Sequence, residues 1–141
     1  MKYEKGEIKV VVYDEQGNKA GEKTVKTAGK PAKLQLTADR STIAADGNDL
    51  AFITVSLTDK NGTLCPDADH SLEFKVTGAA TFNSVCNGDA TSLEVFTEPT
   101  MKLFHGQLVV VVQASTAPGK ATLTVRDKNT GIRATLPITV K

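Results

Sequence analysis

The side chains best able to do chemistry in this chain are its carboxylates, and they fall mostly at turns: Asp14, Asp39, Asp46, Asp49, Asp59, Asp67, Asp69, Asp89 and Asp127. Two carboxylates working as acid and nucleophile on an acetal must face each other across a cleft, roughly 5–9.5 Å apart. Turn chemistry accounts for these aspartates without a substrate, because Asp and Asn side chains bond their own backbone and tolerate unusual angles. Glu73 and Glu94 fall within strand patterns on the solvated side. His70 and His105 are the only histidines, and neither has a serine or cysteine in a nucleophile elbow beside it. His105 sits in Phe104-His105-Gly106, a strand–turn junction. No catalytic residue is expected.

Metal and cofactor chemistry is signalled no better. Asp67-Ala68-Asp69 and Asn87-Gly88-Asp89 offer hard oxygen ligands in loops, but neither runs on into a calcium loop, and Leu72 stands where such a loop after Asp67 needs glycine. Asp46-Gly47-Asn48 and Pro118-Gly119-Lys120 lie between strands and open no helix that could cradle a phosphate. Cys65 and Cys86 are too few for a disulfide scaffold or a four-ligand zinc site. Each lies where a small apolar residue would serve, so both are expected as buried free thiols, with a bridge between them as the alternative. No metal and no cofactor are expected.

The elements that must position these residues are strands. Ala51, Ile53, Val55 and Leu57 alternate between the turns Ala45-Asp46-Gly47-Asn48-Asp49 and Asp59-Lys60-Asn61-Gly62, which is the pattern of a half-buried strand. Further strands are expected at 33–38, 41–44, 71–77, 80–86, 92–96, 107–114, 120–126 and 132–140. Leu72, Phe74 and Val76 share one face, as do Ala121, Leu123 and Val125, and then Ala134, Leu136, Ile138 and Val140. Leu108-Val109-Val110-Val111-Val112 is apolar on both faces, as in a central strand covered on its second side by a neighbouring loop or domain. Residues 7–28 read as a hairpin, and Ala28-Gly29-Lys30-Pro31-Ala32 as the boundary behind it. The expectation is an all-β chain, an immunoglobulin-like β-sandwich over 30–141 preceded by a β-hairpin over 1–29. Two strands alone are marginal in water, so the hairpin reads as the remnant of a larger upstream domain.

Composition limits the partners. In 141 residues, 17 Lys and Arg balance 16 Asp and Glu, without the dense positive field that nucleic acid or an anionic membrane needs. No apolar run approaches the roughly 20 residues of a membrane helix, and no signal-peptide apolar region follows Met1. There is no tryptophan, and Phe52, Phe74, Phe82, Phe96 and Phe104 fall in strand patterns able to bury them, while Tyr3 and Tyr13 belong to the hairpin. An aromatic platform for stacking sugars is therefore not signalled. Asn61-Gly62-Thr63 is a glycosylation sequon that reads as the turn it lies in.

The ordered series Gly29-Lys30-Pro31-Ala32-Lys33-Leu34, Ala45-Asp46-Gly47-Asn48-Asp49-Leu50, Val55–Gly62, Pro66-Asp67-Ala68-Asp69, Phe74-Lys75-Val76-Thr77-Gly78, Asn87-Gly88-Asp89 and Phe104-His105-Gly106 resembles the C-terminal immunoglobulin-like domain of family 2 glycoside hydrolases, in particular the β-galactosidase type of Bacteroides-like bacteria. The hairpin looks like the closing strands of the immunoglobulin-like domain before it in those enzymes. Cys65, Ala90 and His105 depart from the pattern, where an aliphatic residue, proline and asparagine are usual. The resemblance implies a non-catalytic accessory domain, since the family's catalytic glutamates belong to a barrel that nothing here matches. It implies a periplasmic, secreted or cell-surface parent, other domains of that parent as partners, and homo-oligomers as a further option. Asn87, Gly88 and Asp89, with Asp67, Asp69 and His70, are the expected interdomain contacts. Ala45–Pro66 also resembles invasin-type adhesin repeats, leaving an adhesion module as one alternative and a carbohydrate-binding module as another.

Overall fold

The computed structural model describes residues 4–141. Among them are eleven strands: β1 (Glu7–Tyr13), β2 (Lys19–Lys26), β3 (Lys33–Ala38), β4 (Thr42–Ile43), β5 (Leu50–Thr58), β6 (Ser71–Gly78), β7 (Ala80–Cys86), β8 (Thr100–Lys102), β9 (Gln107–Ala114), β10 (Gly119–Asp127) and β11 (Arg133–Val140). β1 and β2 form an antiparallel ribbon of their own. The rest make a sandwich, with β3-β5-β9-β7 as one sheet and β4-β11-β10-β6-β8 as the other. Only β4 with β11 is parallel. The all-β immunoglobulin-like expectation is borne out.

Alternation builds the core. Ala51, Ile53, Val55 and Leu57 of β5 meet Leu72 and Phe74 of β6 and Leu123 and Val125 of β10 in one buried cluster. Met101 and Leu103 close it at the β8 edge, fully or almost fully buried. Phe74 and Phe82 stack across the two sheets, with ring centres 6.2 Å apart. Gly78 turns the chain from one sheet to the other at φ 90°, and a Cβ there would lie 2.1 Å from the Lys120 carbonyl oxygen. No other residue fits that corner.

The sandwich has two distinct ends. At one lie the linker 27–32 and the Asp59–Gly62 turn, joined where Gly29 N–H donates to Asp59 at 2.8 Å. At the other lie the Ala45–Asp49 turn and Lys141, joined where Ala45 N–H donates to the Lys141 carbonyl. The chain therefore enters at one end and leaves at the opposite one.

Several expectations change. Residues 92–96 are not a strand: Val85 N–H donates to the Phe96 carbonyl and Lys102 N–H to the Glu94 carboxylate, so the segment bridges the two sheet edges irregularly. The strand at that edge is β8 instead, and the one expected over 41–44 shrinks to β4. Cys65 is buried, but Cys86 is exposed. The cause is a bulge between Phe82 and Ser84, which inserts Asn83 and reverses the alternation, so that Val85 points inward and Cys86 outward. Phe52, Phe96 and Phe104 are exposed rather than buried. The second face of β9 carries Val109 and Val111, both half-buried. Tyr13 ends β1 in solvent, whereas Tyr3 lies outside the described residues.

Candidate functional site

The residues with chemical potential gather at the linker end, on the loops after β5, β7, β8 and β10. Asp59 organises the first of these. It is 3% exposed and accepts from the backbone of Asn61 at 2.8 Å and Thr63 at 2.9 Å as well as from Gly29. The Gly29 and Thr63 amides hold its carboxyl below the ordinary range. Each carboxylate oxygen is thus committed to shaping the turn and fixing the linker. Burial pushes the neighbouring Cys65 thiol up, and the Asp59 charge adds to it, which leaves that thiol unreactive near neutrality.

The β8–β9 turn is the hub. Gly106 adopts φ 76°, and a Cβ there would lie 2.3 Å from the Cys65 carbonyl oxygen. Its N–H donates to the Ala68 carbonyl at 3.1 Å, which holds the Asp67–His70 loop against the turn. His105 is left-handed at φ 50°, and its ring lies 4.2 Å from that of Phe104. On the other side, Asn87 donates through Nδ2 to the Lys102 carbonyl at 3.1 Å and accepts Asp89 N–H at 3.0 Å. Asp89 accepts the Thr91 hydroxyl at 2.7 Å. That bond, the Thr91 amide and the nearby His105 charge lower its pKa. The two loops named from sequence, Asp67–His70 and Asn87–Asp89, therefore flank one turn. Asp67 and Asp69 are exposed, and Gly88, at φ 79°, has open space where a Cβ would stand.

His70 has a role that sequence reading missed. Its Nδ1–H donates at 2.8 Å to Asp127, whose side chain is wholly buried. Asp127 also accepts from the Thr130 hydroxyl and the Asn129 amide. Burial would raise its pKa, but the bonds from Thr130 and His70 outweigh it and hold the carboxyl low. The pair resembles the base and orienting acid of a triad, yet no hydroxyl or thiol among the described residues bonds the ring's second nitrogen. It ties the β5–β6 loop to the β10–β11 turn across 57 residues. The one local signal was Asp127-Lys128-Asn129-Thr130-Gly131, whose Asp-to-amide bonds mark a turn.

Among the described residues no group of three His, Cys, Asp or Glu could hold a metal ion. No buried side-chain polar atom among them lacks a partner. An open cleft of about 790 Å³ separates the base of the hairpin from the Asp59–Asn61 turn, with Lys26, Lys30 and Lys60 among its walls.

The model of glycoside hydrolase family 2 C-terminal domain 5 matches residues 34–133. The chain belongs to this family. It is 46% identical over 124 residues to the beta-galactosidase BoGH2A of Bacteroides ovatus, covering 88% of this chain and 14% of that protein. It is 29% identical over 107 residues to a beta-galactosidase of Thermoanaerobacter pseudethanolicus, covering 76% and 13%. A solved family 2 glycosyl hydrolase from Bacteroides cellulosilyticus superposes on all of this chain with a TM-score of 0.93 and 35% identity, over 18% of its own length. The D00–D0 domain of intimin, at 17% identity and a TM-score of 0.57, shares the fold alone. The C-terminal domain thus spans a small part of the relatives it matches.

Proposed function

We propose that this C-terminal domain is a non-catalytic accessory module of a β-galactosidase-like parent, which it stabilises and positions by packing on neighbouring domains. The observation that carries the reading is the 46% identity to a beta-galactosidase of which the chain spans only 14%. The linker end supports it, because each strongly placed carboxylate there is spent on backbone or on an internal partner. A general acid or nucleophile needs a free oxygen in a cleft.

The hairpin fits the same reading. Ile8, Val10, Val12 and Val25 share one face and are 55–72% exposed. On the opposite face Lys9 and Lys19 pair with Glu22, and Lys26 with Glu7. One face is mostly charged and the other mostly apolar, with Lys23 its one charge opposite Val10, as in the last two strands of a sandwich whose remaining strands lie upstream. We assign 1–29 to that upstream unit and 30–141 to the domain proper.

Purified 141-residue chain is expected to give no turnover of aryl galactosides above buffer, and removal of the domain from the parent to lower the parent's thermal midpoint. Hydrolysis by the isolated folded chain overturns the non-catalytic assignment. Saturable glycan binding by calorimetry moves the assignment to a carbohydrate-binding module.

A further inference from the structure

The outer faces of the two sheets differ in kind. On the β4-β11-β10-β6-β8 sheet the outward positions carry Glu73, Lys75, Lys102, Lys120, Arg126 and Arg133, all exposed. On the β3-β5-β9-β7 sheet the outward charges lie only at the two ends of β3: Lys33 at one, and at the other Asp39, which accepts Phe52 N–H at 2.9 Å and pairs with Arg40. The middle of this sheet is apolar: Phe52, 45% exposed, sits across from Val111, and Val109 lies between Thr54 and Cys86. A chain in which 23% of residues are charged keeps charge off β5, β9 and β7 on this face. Charge depletion around an apolar centre distinguishes a surface that becomes buried against protein from one that stays wet.

Four polar side chains on that face bond within the protein. Gln113 accepts from Asn83 at 2.8 Å and donates to the Gly47 carbonyl at 2.7 Å, and Gln107 donates to Ser56 at 2.9 Å. A face that reads a glycan keeps donors and acceptors free to point outward, whereas these internal bonds lower the cost of dehydrating the groups that make them. At the linker end the face runs into a shallow cleft of about 270 Å³ lined by Thr54, Cys86, Asn87, Gly88 and Val109. It is therefore continuous with the Asn87–Gly88 loop, at the same end of the sandwich as the linker to the hairpin.

We propose that the outer face of β3-β5-β9-β7, centred on Phe52, Val109 and Val111, docks against an upstream domain of the same polypeptide. This rests on the accessory-domain reading. The occupant is argued from chain outside the structure: the relatives carry most of their length beyond this domain. An upstream domain is held near the linker end at high effective concentration, so a modest apolar contact suffices.

Cys86 is a reporter placed by the bulge on this face, and buried Cys65 is an internal control. The experiment follows maleimide labelling of both thiols by peptide mass spectrometry, in the full-length parent and in the 141-residue chain. Cys86 is expected to react at least about tenfold more slowly in the parent, because labelling then requires the interface to open. Phe52→Lys in the parent should restore the faster rate while Cys65 stays protected, showing that the sandwich is still folded. Equal Cys86 rates in parent and isolated chain overturn the proposal, while the test of turnover is unaffected. Slow labelling in the isolated chain also overturns it: dependence on protein concentration would assign the face to a second copy, and slowing only on adding oligosaccharide would assign it to a glycan.

Discussion

Replacing Asp127 by alanine tests whether the long-range tie at the linker end holds the fold together. The carboxylate is wholly buried and accepts from His70, Thr130 and the Asn129 amide. Its loss deprives those donors of their acceptor, and bonds to a charged group contribute about 1.5–3 kcal/mol each before solvent takes over part of the role. His70 is 19% exposed and recovers water, so about 3 kcal/mol is expected in total. For a domain of this size that lowers the thermal midpoint by roughly 10 °C. The acid limb supplies a second readout. Because the native carboxyl is held below its ordinary value, its contribution is whole above the unfolded pKa of about 3.9 and is lost as pH falls through the native one. Asp127→Asn should therefore flatten the decline in stability below about pH 4 while costing less than alanine at pH 7. Urea unfolding followed by circular dichroism at pH 7 and at several acid pH values measures both. An alanine variant within about 0.5 kcal/mol of the parent chain, or an asparagine variant with an unchanged acid limb, refutes the argument.

Three other outcomes are expected. Gly78→Ala should prevent stable folding or cost more than about 3 kcal/mol, since its Cβ would overlap the Lys120 carbonyl at an unfavourable φ, and a near-native midpoint counts against the corner as described. His105→Gly should stabilise the domain by up to about 1 kcal/mol by releasing the left-handed backbone, and a loss of stability would mean the Phe104 contact outweighs that strain. Deleting residues 1–27 should leave the denaturation midpoint of the sandwich unchanged within error, because β1 and β2 pair only with each other. A large drop would show that the hairpin supports the sandwich.

What could be read along the chain was what alternation encodes. Ala51, Ile53, Val55 and Leu57 announced their inward face, and the hairpin and linker were legible from turn residues. The failures cluster at the β7–β8 edge. One inserted residue, Asn83, reverses the phase of everything after it, and no propensity marks a bulge that tertiary pairing selects. Ser92–Phe96 has a strand-like composition, but Glu94 spends its carboxylate on the Lys102 amide, and no neighbour offers a continuous ladder. At the linker end the two loops named from sequence lie against one turn. The bond from His70 to Asp127 was invisible, because partners 57 residues apart are joined only by the fold.

The opposed positions of the linker and Lys141 bear on how this domain responds to tension. β3 and β11 run the same way, one in each sheet, each bonded along its length to an antiparallel neighbour, while β4 adds a parallel bridge to the last residues of β11. A pull applied through both ends slides these strands along their partners, so that a row of hydrogen bonds resists together instead of parting one after another. Such a sandwich behaves as a stiff strut along the chain direction, and the exposed two-stranded ribbon ahead of it is the more compliant link.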